Sequence, residues 1–113
     1  VEVEIKESVK EAGLEADVRR ASELLPEVVT PALQHHVRVL WEVLRGGAGA
    51  RWVMVALEYD EVVTERELLE PETLSDTEAL RDRFVWLWDR VLRTRTRQRV
   101  REPLEPLVFV TDE

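Results

Sequence analysis

Between Arg93 and Arg101 every second residue is arginine: Arg93, Arg95, Arg97, Arg99 and Arg101, separated by Thr94, Thr96, Gln98 and Val100. A guanidinium is planar and permanently charged. It therefore does no acid–base or nucleophilic chemistry, and instead holds carboxylates or phosphates through paired N–H donors. Together with Arg90 the segment 90–101 carries six cations and no acid. On a strand, alternate residues share one face, whereas on a helix the same side chains spread round the cylinder. The run is thus a flat cationic edge, a solvated helix end or a docking surface. A matching anion lies in the same chain: Glu58 to Glu78 holds nine acids against Arg66 alone.

The other residues able to do chemistry are few. His35 and His36 are the only histidines, and neighbours on a helix point about 100° apart, so they could not ligate one metal together. His36, with Trp41, Tyr59 and acids such as Glu58 or Glu61, makes a candidate small-ligand or enzyme pocket on residue types alone. Carboxylates are so abundant that any two could be named as a general acid and base, which removes their diagnostic value. Cysteine is absent, excluding thiol nucleophiles, disulfides and sulfur-liganded zinc. There is no phosphate-binding glycine loop, nucleophile elbow or H-E-x-x-H pattern. Gly46-Gly47-Ala48-Gly49 leads into a strand pattern, so it lacks the helix N-terminus that would hold phosphate. No catalytic residue, metal or cofactor is expected, and the reading leans away from an enzyme.

Four tryptophans, Trp41, Trp52, Trp86 and Trp88, are many for 113 residues. Three suit a core. Trp86 sits off the stripe of Leu80, Phe84, Leu87 and Val91 and is a candidate partner contact.

These residues must be positioned by one small domain. A chain of 113 residues with 44% hydrophobic and 35% charged content buries one modest core, and it could be a module cut from a longer chain. The net charge of −8 opposes approach to nucleic acid unless the cations are segregated. No apolar run approaches a membrane span and no signal-peptide pattern is present, so the expectation is a cytoplasmic protein without membrane contact.

Val1, Val3 and Ile5 alternate with charged residues as a strand does. Ser8 and Glu11 have capping-box spacing, predicting a helix from about Val9, with Leu14, Val18, Ala21 and Leu25 on its stripe. Pro26 and Pro31 interrupt it, and the arc of Leu33, Val37, Leu40, Trp41 and Leu44 predicts a second helix from about Pro31 to Leu44, ended by the glycines. Trp52 to Leu57 is apolar on both faces, as in a central strand. Glu61 to Leu69 fits either an acidic edge strand or a short helix. Ser75 and Glu78 repeat the capping-box spacing before a helix burying Leu80, Phe84, Leu87, Trp88, Val91 and Leu92. Leu107 to Val110 reads as a last strand.

The resulting class is α+β, a βαββαβ order as in ferredoxin-like sheets, with helices on one face. The functional expectation is a non-enzymatic interaction or regulatory module. It self-associates through an apolar sheet face or the Trp86 region, and Arg90, Arg93, Arg95, Arg97, Arg99 and Arg101 dock an acidic protein surface. The alternatives are a nucleic-acid binder using Arg93 to Arg101 on phosphates, and the ligand pocket at His36, Trp41 and Tyr59.

Overall fold

In a computed structural model the fold is described for the backbone of residues 1–101 and for side chains up to Gln98; the expected strand at Leu107 to Val110 lies outside the described residues. The elements are β1 (Glu2–Ile5), α1 (Glu7–Glu11), α2 (Glu15–Ser22), α3 (Leu25–Val28), a 3-10 turn at Pro31–His36, β2 (Val37–Arg45), β3 (Arg51–Tyr59), β4 (Val63–Leu69) and α4 (Thr77–Arg101). The sheet order is β1-β2-β3-β4. β1 runs parallel to β2, and the remaining neighbours are antiparallel.

The chain is α+β, but the ferredoxin-like order is not the one observed. β1 lies at an edge instead of the centre, because the stretch expected to be a helix from Pro31 to Leu44 contains strand β2. Residues 37–44 satisfy two periods at once. Val37, Leu40, Trp41 and Leu44 fit a helix, while Val37, Val39, Trp41 and Val43 alternate, and these four are the buried ones. Three β-branched valines and nine paired positions on β3 tip the balance to strand. The glycines therefore close a hairpin instead of capping a helix: Gly46 N–H donates to Ala50 O at 2.8 Å, and Gly49 sits at φ 77°.

The two capping boxes also resolve differently. The Ser8 hydroxyl accepts from Val43 N–H at 2.9 Å, tying α1 to β2 instead of capping its own helix. At α4 the cap is Asp76, whose Oδ1 accepts from Ala79 N–H at 3.1 Å. Acid at that end suits the helix dipole. Glu61 to Leu69 resolves as edge strand β4.

One face of the sheet is covered. Val37, Val39, Trp41 and Val43 of β2, Val53, Val55, Leu57 and Tyr59 of β3, and Val63 and Leu69 of β4 pack against Val9, Val18, Leu25, Leu80, Phe84, Leu87, Trp88 and Val91. Trp41 is fully enclosed, edge-on to Phe84 at 6.2 Å, and its indole N–H donates to Ser22 Oγ at 2.8 Å. The other face has no covering element among the described residues. Period two places Glu2 and Glu4, then Arg38, Leu40, Glu42 and Leu44, then Glu58, Ala56, Met54 and Trp52, then Thr64, Arg66 and Leu68 on it. The β1 end of this face is charged. Arg38 bridges Glu4 at 3.0 Å and Glu58 at 2.8 Å. Hydrogen bonding to Glu58, then its charge, raises the Arg38 pKa above its ordinary value. Toward the β2–β3 hairpin the face is apolar, with Leu44, Trp52 and Leu68 exposed over Met54 and Ala56.

Candidate interaction surface

The arginine segment is helical. Its backbone continues α4 to Arg101, so the edge-strand reading falls and the guanidinium groups turn by about 200° at each second residue instead of lining up. A helix start with a good cap, and no proline or glycine from Thr77 to Arg101, let helix propensity carry the period-two run. The side chains of Arg99 and Arg101 lie outside the described residues.

The helix sorts its arginines by direction. Arg90 faces β4: its Nη1 donates to Glu67 at 2.9 Å, its Nε to Glu65 at 3.3 Å, and its Nη2 to the Arg66 carbonyl. The hydrogen bond to Glu67, the largest influence, and then that to Glu65 hold the Arg90 pKa above its ordinary value against some loss from burial. Arg83 Nη1 reaches Glu67 at 2.7 Å, and the Thr94 hydroxyl donates to Glu65 at 2.8 Å. The acids of the Glu58 to Glu78 stretch are thus partly answered inside the chain. The pairing also satisfies a carbonyl of an edge strand, the kind of group that otherwise recruits foreign strands. Arg95 lies over the Tyr59 ring, 4.7 Å from its centroid, a cation–π contact. Arg93 points outward and, among the described residues, pairs along its own helix with Asp89 at 3.0 Å. Arg97 is also exposed.

The outward face of α4 carries Trp86, which sequence patterning sets off the core stripe as a candidate partner contact, together with Val85. Trp86 is 65% exposed and Val85 50% exposed, on a helix whose opposite face is buried through Leu80, Phe84, Leu87 and Val91. Of the remaining tryptophans, Trp41 and Trp88 lie in the core, whereas Trp52 stands half out on the open sheet face.

The histidine site differs from the expectation in its backbone, a 3-10 turn instead of a helix, in its acid, Asp60 instead of Glu58 or Glu61, and in the place of Trp41. His35 and His36 lie on the 3-10 turn with ring centroids 4.3 Å apart. His36 stacks on Tyr59 at 5.3 Å, and its Nδ1 lies 2.8 Å from Asp60 Oδ1. Trp41 is not brought to this place, because it points into the core toward Phe84, so the three-residue pocket is not assembled. The imidazole–carboxylate pair buttresses the β3–β4 turn, where Asp60 and Glu61 have φ of 52° and 63°. Asp60 N–H also donates to His36 O at 3.0 Å. Surface hollows lie elsewhere, for example against Leu24, Leu74 and Leu80, or beside Trp52 and Pro71. Among the described residues no group of three or more histidines and acids could hold a metal ion, and no helix is long and apolar enough to cross a membrane.

The residues that sequence reasoning missed are Asp82 and Asp89, which share α4's outer face with Trp86. Their spacing from Trp86 at i−4 and i+3 was a readable signal. Comparison with protein-family models, curated proteins and solved structures gives no significant match.

Proposed function

We propose that this chain is a non-enzymatic protein–protein interaction module that self-associates, with arginines of α4 docking an acidic surface. The observation that carries the reading is Trp86, held 65% exposed beside Val85 on a helix whose other sides are anchored through core packing and through Arg83, Arg90 and Thr94 on β4. A large apolar side chain on a rigid platform loses little freedom on docking, so most of its buried area goes into affinity. Arg93 and Arg97 lie further along the same helix toward its C-terminus. Such rim cations contribute little energy and act on orientation and partner choice.

Sedimentation velocity of the full chain across the micromolar range, at low and at moderate salt, tests the proposal. A sedimentation coefficient that rises with concentration, and rises less steeply when salt screens the rim charges, is the expected result. A monomer under every condition refutes self-association.

A further inference from the structure

Resting on that reading of self-association, the geometry of α4 points to one mode of it. We infer that two copies pair through the outer faces of α4, antiparallel, about a two-fold axis that crosses between the helices at the level of residues 87 and 88. At 100° per residue, Glu78, Asp82, Val85, Trp86, Asp89, Arg93 and Arg97 fall within an arc of about 120°, a stripe roughly 30 Å long. Every one of these side chains is at least partly solvent-exposed.

The stripe is polar along its length. Its N-terminal part carries Glu78 and Asp82, its C-terminal part Arg93 and Arg97, and the apolar pair lies between them. A two-fold axis requires that one surface be complementary to itself, so each contact occurs twice with the partners exchanged. This stripe meets the requirement in one direction only. Reversing the second helix about residues 87 and 88 sets Asp82 opposite Arg93 and Glu78 opposite Arg97, four cross-pairs in all. The Val85 and Trp86 side chains of both copies then fall within about 4 Å of the axis along the helix. A parallel, in-register pair would instead set Asp82 against Asp82 and Arg93 against Arg93, which like-charge repulsion disfavours. Asp89 stands opposite the second copy's Trp86 and keeps its own Arg93 at 3.0 Å, so each Arg93 lies between two acids, its own Asp89 and the second copy's Asp82. The stripe's own charge order identifies the partner as a second copy of this chain.

A charge-swap pair tests the arrangement. Asp82→Arg alone places cations opposite one another at both symmetry-related positions, and Arg93→Asp alone places anions there. Each variant should associate at least about tenfold more weakly than the parent chain. In an equimolar mixture the arginine of one variant faces the aspartate of the other, and the three remaining cross-pairs stay native, so association should recover to within about threefold of the parent. Trp86→Ala should also weaken association by about tenfold or more. Both charged positions are on the exposed face, and the circular dichroism of each variant should match the parent. If the parent associates but the mixture does no better than either variant alone, the antiparallel α4 pairing is wrong while self-association stands. The pairing is equally wrong if Leu68→Asp on the open sheet face abolishes association and Trp86→Ala leaves it unchanged. A parent chain that stays monomeric overturns both.

Discussion

Replacing Arg90 with alanine should loosen the attachment of α4 to the edge of the sheet, and the structure sets the scale of the effect. The side chain makes two ion-paired hydrogen bonds, to Glu67 at 2.9 Å and Glu65 at 3.3 Å, and a third bond to the Arg66 carbonyl. A hydrogen bond to a charged group is worth about 1.5–3 kcal/mol when well shielded. The Arg90 side chain is 38% exposed and its two acids 22–23%, so solvent screening brings the pair terms down toward the range of about 0–1 kcal/mol each. Removing the cation also leaves Glu65 and Glu67, neighbours on one face of β4, repelling each other across an empty position. The expected loss is about 1–2 kcal/mol, or a fall in melting temperature of roughly 4–8 °C for a domain of this size. Urea denaturation at low salt should show it as a lower midpoint with an unchanged slope, and the gap to the parent should narrow in high salt. Arg90→Lys should recover only part, because an ammonium cannot fork across Glu65, Glu67 and the carbonyl together. Arg93→Ala, at a position 71% exposed, should stay within about 0.5 kcal/mol of the parent. If Arg90→Ala and Arg93→Ala behave alike, the division of the arginine segment into an inward clamp and an outward surface is refuted.

Two further outcomes follow from the core and the hairpin. Ser22→Ala removes the acceptor of the enclosed Trp41 indole N–H and should cost about 1–3 kcal/mol by urea denaturation. The same substitution in a Trp41→Phe background, where no donor is left to orphan, should cost clearly less. In the β2–β3 turn an added β-carbon would meet nothing within 4 Å at either Gly47 or Gly49, but of the two Gly49 alone, at φ 77°, has the left-handed backbone. Gly49→Ala should therefore lower stability by about 1–2 kcal/mol, while Gly47→Ala should be neutral or stabilising by up to about 1 kcal/mol, both read from thermal melts.

Composition and local periodicity were enough for the inventory and much of the local order. The absence of cysteine is a property of composition, and that of a phosphate-binding glycine loop, a nucleophile elbow or an H-E-x-x-H pattern is a property of local spacing. The terminal alternation of Val1, Val3 and Ile5, the short unbroken apolar run from Trp52 to Leu57 and the amphipathic helix after Asp76 each carry one local signal without competition, and all three elements are present. The offset of Trp86 from its stripe was legible for the same reason, because helix geometry alone fixes which side of α4 meets the core. Tertiary structure decided the remainder, where local signals were degenerate. Residues 37–44 fit helix and strand equally, and only pairing with β3 settles them; with that the sheet order changes and β1 moves to the edge. The arginine alternation fits a strand, yet the uninterrupted helix from Thr77 overrides it. Which of those arginines are spent inside the chain and which face outward depends on β4 lying under one side of α4, a relation between segments some 25 residues apart that no local pattern encodes.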